Sequence, residues 1–195
     1  MRFFLSILCA TVVSAVTMAS SLAADLEATK KKAELCATCH GENGISKMEN
    51  VPSLAGQPDR FIQWQLVFFR SGTRKNEQMQ GIVEQLDNND IRDLGAYFAA
   101  LTPPKATQPD DNADLSAKGA QAAVGRRCAN CHTDSFAGKD AVARIAGQRE
   151  EYLLKALHDY KSGARSGGGM AAMADVAYPL NEEEITALAH YLAHL

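Results

Sequence analysis

The chain has 195 residues, with 20 Lys and Arg against 23 Asp and Glu, a formal net charge of −3 and 46% hydrophobic residues. That length allows one domain or two small ones, and the mildly acidic balance argues against a nucleic-acid partner. Beyond the N-terminus, no run is long and apolar enough to span a bilayer.

In chain order, residues 1–24 read as a secretory signal peptide. Arg2 supplies the positive end, Phe3 to Ala19 the apolar stretch, and Ser20-Ser21-Leu22-Ala23-Ala24 the small residues of a cleavage site. An uncleaved anchor is the alternative for so long an apolar stretch. Removal of this segment takes Cys9 with it and leaves Cys36, Cys39, Cys128 and Cys131.

Residues 25–102 form a first lobe. A helix is expected from about Leu26 into Cys36-Ala-Thr-Cys39-His40, and a second opens near Asp59 with Phe61, Leu66, Phe68 and Phe69 along it. Met79 follows in an expected loop. The last helix starts at Asp87, whose pairing with Asp90 resembles a capping box, and continues through Ile91, Leu94, Tyr97, Phe98 and Leu101 at helical spacing. Residues 103–113 are a Pro-rich polar linker.

Residues 114–195 repeat the pattern. Leu54-Ala-Gly-Gln57 returns as Ile145-Ala-Gly-Gln148, 91 positions on, and Arg74 returns as Arg165. Near the end the shift becomes 94, taking Leu86 to Leu180 and Tyr97 to Tyr191, so three residues are inserted, most naturally at Gly167-Gly-Gly169. The helices expected here run from Ser116 into Cys128-Ala-Asn-Cys131-His132, along Tyr152 to Tyr160, and from Asn181 to Leu195. The fold class is all-α: two tandem three-helix lobes. Lobes so small bury little apolar surface alone, and a large flat apolar cofactor would complete each core.

The cysteine motifs name that cofactor. Residues three apart share one side of a helical turn, so Cys36 and Cys39 can form thioethers to neighbouring edges of one porphyrin, and His40 can bind its iron. Cys128, Cys131 and His132 do the same in the second lobe. Zinc knuckles lie about 12 to 20 residues apart, whereas these pairs are 92 apart. A thioredoxin-type dithiol would need a βαβ context, for which there is no strand pattern. Two haem c groups follow.

A thioether as sixth ligand closes the iron and raises its potential. Met48 is too near His40 in sequence, so Met79 is the expected first-lobe ligand. In the second lobe the shift of 91 pairs Met79 with Met170 and that of 94 with Met173. Met173 keeps the seven-residue distance to the leucine opening the last helix and is the expected ligand, with Met170 the alternative. His190 and His194, four apart on one helix, correspond to Ala96 and Ala100 and read as surface histidines. Trp64, Phe68, Phe69, Tyr97, Tyr160 and Tyr191 read as packing residues. Arg74 and Arg165 could serve haem propionates or helix ends.

The paired Cys-x-x-Cys-His lobes, Leu-Ala-Gly-Gln, Gly-x-Arg and Met-x-x-x-x-x-x-Leu resemble the dihaem cytochromes c4 over nearly all of Asp25 to Leu195. The resemblance implies two cytochrome c-like folds facing across a pseudo-two-fold axis, with propionates near the interface. It implies a periplasmic electron carrier, free or at the membrane surface. The expected donor is a quinol–cytochrome c reductase or a dehydrogenase, and the expected acceptor a haem-copper terminal oxidase. A subunit of a larger dehydrogenase, such as a flavin-containing sulfide dehydrogenase, shares this plan. A dihaem enzyme is disfavoured, because no thiol or acid–base set stands outside the haem motifs. Pro52 matches the proline whose carbonyl supports the haem histidine, but Ala143 stands at the corresponding place in the second copy.

Overall fold

The computed structural model describes residues 26–106 and 109–195, whose regular elements are all helices, with one isolated antiparallel bridge between Lys139 and Val142. The expected signal peptide lies outside the described residues. None of the described helices is long and apolar enough to cross a membrane.

The first lobe contains α1 (residues 26–40), α2 (Asp59–Arg70), α3 (Glu77–Val83) and α4 (Asn88–Ala100). The second contains α5 (Ala113–Gly125), α6 (Ala129–His132), α7 (Glu150–Lys161), α8 (Ala171–Ala177) and α9 (Glu182–Ala193). The long helices follow the apolar spacing. Both capping boxes form: Asp87 accepts from Asp90 N–H and Asn181 from Glu184 N–H, while each acidic side chain returns the bond to the cap's backbone. Those same two acids hold cations from the first helical segment of their lobes, Lys32 on Asp90 and Arg126 on Glu184.

Two local differences from the sequence reading have physical causes. α1 runs unbroken into the first cysteine motif, whereas its counterpart stops at Gly125. Arg127 then takes a left-handed φ of 57°, and Arg126 is drawn to Glu184 by bonds of 2.8, 2.9 and 3.0 Å. Between the middle and last helices lies a seven-residue helix in each lobe, not a loop: α3, N-capped by Asn76 on Met79 N–H, and α8. A 3-10 turn at Gly168–Met170 precedes α8, where the insertion was placed.

The two cores are separate. Ile62, Phe69, Val83, Leu86, Ile91, Leu94 and Phe98 fill the first, and Leu153, Tyr160, Met170, Ala177, Leu180, Ile185, Leu188 and Leu192 much of the second. Phe68 leaves its own lobe and packs on the second core, and Trp64 is 46% exposed, so neither is a first-lobe core residue. The linker is seated between the turns of the repeated Ala-Gly-Gln. Gly56 and Gly147 both have φ +67°, and a Cβ would come within 2.5 Å of Pro103 and 2.7 Å of the Pro104 carbonyl. Only glycine combines that backbone with that approach.

Candidate functional site

His40 ends α1 and His132 ends α6, and both are buried, at 8% and 7% exposure. Each ring is fixed by one bond: His40 Nδ1–H donates to the Pro52 carbonyl at 2.8 Å and His132 Nδ1–H to the Ala143 carbonyl at 2.8 Å. Ala143 therefore supports its histidine as Pro52 does, because the acceptor is backbone and the side chain is immaterial. Burial pushes both imidazoles below their ordinary pKa, against a smaller opposing effect of the carbonyl bond. The neutral ring with its proton on Nδ1 keeps a lone pair on Nε2, and no described residue occupies it.

Cys36 and Cys128 are half-buried against their lobe's core, while Cys39 and Cys131 are exposed, and all four are unpaired. Burial raises the Cys36 thiol to about 11 and raises Cys128 as well. A redox dithiol needs the opposite shift.

The thioethers stand in matching places. Met79 is the third residue of α3 and Met173 the third of α8, and each packs half-buried on its own core. Each helix ends on a fully buried residue, Val83 and Ala177, followed three positions on by the buried leucine Leu86 or Leu180. Met170 sits elsewhere: it precedes α8, is 3% exposed, and its sulfur accepts from Arg165 Nε at 3.5 Å.

Between the lobes, Arg74 and Arg165 converge. Both donate to Gln65 Oε1, at 2.7 and 2.9 Å, and both to the Tyr152 hydroxyl, at 3.2 and 3.3 Å. Burial pushes the Tyr152 phenol up, but the two guanidiniums outweigh it and bring it down to about 7. Neither arginine has a carboxylate partner among the described residues, and Arg165 is only 4% exposed. A buried guanidinium left without a carboxylate partner is a site that calls for an anion. Paired thiols, an imidazole lone pair, a thioether and buried cations together match the donors a c-type haem with two propionates requires. The residues present fit that group.

A second cluster had no signal in the repeat. His190 is 4% exposed, unlike the surface residue expected, and its two ring nitrogens face Asp110 at 3.1 Å and Glu150 at 3.2 Å. The two carboxylates raise the imidazole above its ordinary pKa despite the opposing effect of burial. His194 adds a third ligand-type atom within 4.8 Å. Two flanking carboxylates favour the protonated ring, in which both nitrogens donate, and His190 ties the linker and α7 to α9.

The lobes are joined in a reciprocal manner. Gln148 accepts from Ser53 N–H (2.8 Å) and donates to the Ser53 carbonyl (2.9 Å), and Gln57 accepts from Arg144 N–H (3.0 Å) and donates to the Arg144 carbonyl (2.8 Å). Gln57 and Gln148 are repeat equivalents, as are Ser53 and Arg144, so the bonds obey the pseudo-two-fold relation.

A family profile described as Cytochrome c matches residues 27–102 and 116–195. Cytochrome c4 of Azotobacter vinelandii is 31% identical, over 92% of this chain and 93% of its own length. A thiosulfate dehydrogenase electron acceptor of Thiomonas intermedia is 27% identical over 85% of this chain and 81% of its own. The crystal structure of reduced recombinant cytochrome c4 from Pseudomonas stutzeri superposes with a TM-score of 0.77 at 30% identity, covering 87% of this chain and 97% of that one.

Proposed function

The chain belongs to the cytochrome c family, as a two-lobe member of the dihaem cytochrome c4 kind that binds two covalent haem c groups, and from that premise we propose that it is an exported periplasmic carrier of respiratory electrons. In this reading residues 1–24 direct export, and residues 25–102 and 114–195 are two haem lobes joined by the linker 103–113. Cys36 and Cys39 attach one haem and Cys128 and Cys131 the other, with His40 and Met79, and His132 and Met173, on the irons.

The observation that carries the reading is the matched pair of buried histidines, each held by a backbone carbonyl with its Nε2 lone pair free. The bound haem supplies a one-electron couple. The protein's part is to hold ligands through both oxidation states. The Nδ1–H bonds stop the rings turning, so little geometry changes when an electron arrives. Met79 on α3 and Met173 on α8 would supply thioethers that favour the ferrous state and exclude water. Arg74 and Arg165 supply cations for propionates between the lobes. Carriage towards a terminal oxidase is the favoured direction. A thiosulfate-oxidising or other dehydrogenase as donor is a second reading, favoured by the relative named for that role.

Redox titration of exported holoprotein with absorption spectroscopy tests this. Two haems per chain, low-spin in both states, with a weak far-red sulfur-to-iron band when oxidised, are expected. High-spin ferric haem or carbon monoxide binding by the native ferrous protein would overturn the carrier assignment. A stoichiometric complex with a dehydrogenase on purification would favour the second reading.

A further inference from the structure

The lobe contacts reach the haem histidines through single peptide groups. The carbonyl that accepts from His40 belongs to Pro52, and the N–H of that same amide, on Ser53, donates to Gln148 of the other lobe at 2.8 Å. On the opposite side, the Ala143 carbonyl accepts from His132, and the N–H of its amide, on Arg144, donates to Gln57 at 3.0 Å. Ser53, Gln57 and Gln148 are buried, at 2%, 5% and 4% exposure, and Arg144 is half-buried, so water competes little for these bonds.

We propose that Gln57 and Gln148 are cross-lobe positioning residues, each gripping the peptide that supports the other lobe's haem histidine and thereby setting that iron's reduction potential from across the interface. The inference rests on the assignment of His40 and His132 as iron ligands. Its physical route is amide polarisation. When the Ser53 N–H donates, electron density moves onto the Pro52 oxygen, which becomes a better acceptor for His40 Nδ1–H. A more strongly bonded Nδ1–H makes Nε2 a more basic ligand, and a more basic ligand stabilises ferric over ferrous iron. The second pair of bonds, from each glutamine's NH2 group to the carbonyl of Ser53 or Arg144, holds the amide in place so that the polarising contact is kept.

The effect is crossed. A glutamine that only glued the lobes together would change stability, or both potentials alike. A glutamine acting through the peptide changes the potential of the lobe it does not belong to.

The test uses exported holoprotein carrying both haems. Gln148→Met keeps the side chain's length and removes both bonds. It should raise the first lobe's potential by about threefold in its oxidation equilibrium, about 28 mV at 59 mV per tenfold for one electron, and move the second lobe's less. Gln57→Met should do the reverse. The wave belonging to the first lobe is identified by its displacement in Met79→His. Gln148→Glu, which retains an acceptor for Ser53 N–H, should not raise the first lobe's potential. Proton NMR of the reduced protein gives a second readout. The downfield His40 Nδ1–H resonance should move upfield in Gln148→Met, while that of His132 stays in place. Potentials and resonances unmoved in a protein with both haems intact, or shifts confined to the lobe carrying the substitution, would overturn the proposal. An unchanged low-spin spectrum in His40→Ala or His132→Ala holoprotein would instead overturn the ligand assignment beneath it.

Discussion

Replacing Met170 and Met173 with leucine, one at a time, separates a packing sulfur from a ligating one. Met170 is 3% exposed within the second core and receives Arg165 Nε at 3.5 Å. Leucine nearly conserves its volume, so Met170→Leu should cost less than about 1.5 kcal/mol, against about 2–5 kcal/mol for Met170→Ala, which leaves a cavity. For a lobe of this size, 1 kcal/mol is about 4–8 °C in Tm, so the leucine variant should melt less than about 12 °C lower. Its far-red band should keep full intensity. Met173 is half-buried at the position in α8 that Met79 holds in α3. Met173→Leu should cost little in packing but halve the far-red band, open one haem to carbon monoxide and sharply lower one potential. Absorption spectra of the oxidised proteins read both outcomes. A halved band in Met170→Leu with an intact one in Met173→Leu would refute the register argument.

Pro52→Ala should leave the first lobe's potential unchanged and cost up to about 1 kcal/mol, because the second lobe makes the same histidine bond from Ala143; a displaced wave in redox titration would contradict this. Gly147→Ala should cost about 1–3 kcal/mol, and more than Gly163→Ala, because both have positive φ but only the first would bring a Cβ to 2.7 Å from the Pro104 carbonyl. Equal denaturation midpoints for the two would count against that contact. His190 has a raised folded-state pKa, so its bridge to Asp110 and Glu150 contributes fully below about pH 6.5 and is lost as pH rises through the raised value. Stability should fall across that window in denaturant titrations, and His190→Ala should remove the slope.

Much of the fold was legible because it is written locally and twice. The Cys-x-x-Cys-His runs, the apolar spacing of Ile91 to Leu101 and Ile185 to Leu195, and the capping pairs Asp87 with Asp90 and Asn181 with Glu184 each act within a few residues. The repeat then supplied the two-lobe plan. Met79 was legible as a candidate ligand but not as part of a helix, since a seven-residue helix is below the length that propensity sustains and exists through packing. The choice between Met170 and Met173 has two answers in linear spacing; in space Met173 takes the place in α8 that Met79 takes in α3, whereas Met170 precedes the helix. Ala143 concealed its role because the bond to His132 comes from a backbone oxygen. His190 meets partners 40 and 80 residues away, and Gln57 and Gln148 meet the backbone of the opposite copy. The sequence by itself determined which groups the chain carries and that it carries them twice. Which of them touch across the interface was decided by tertiary structure alone, because a hydrogen bond requires distance and angle, and neither is encoded in the spacing of residues within one lobe.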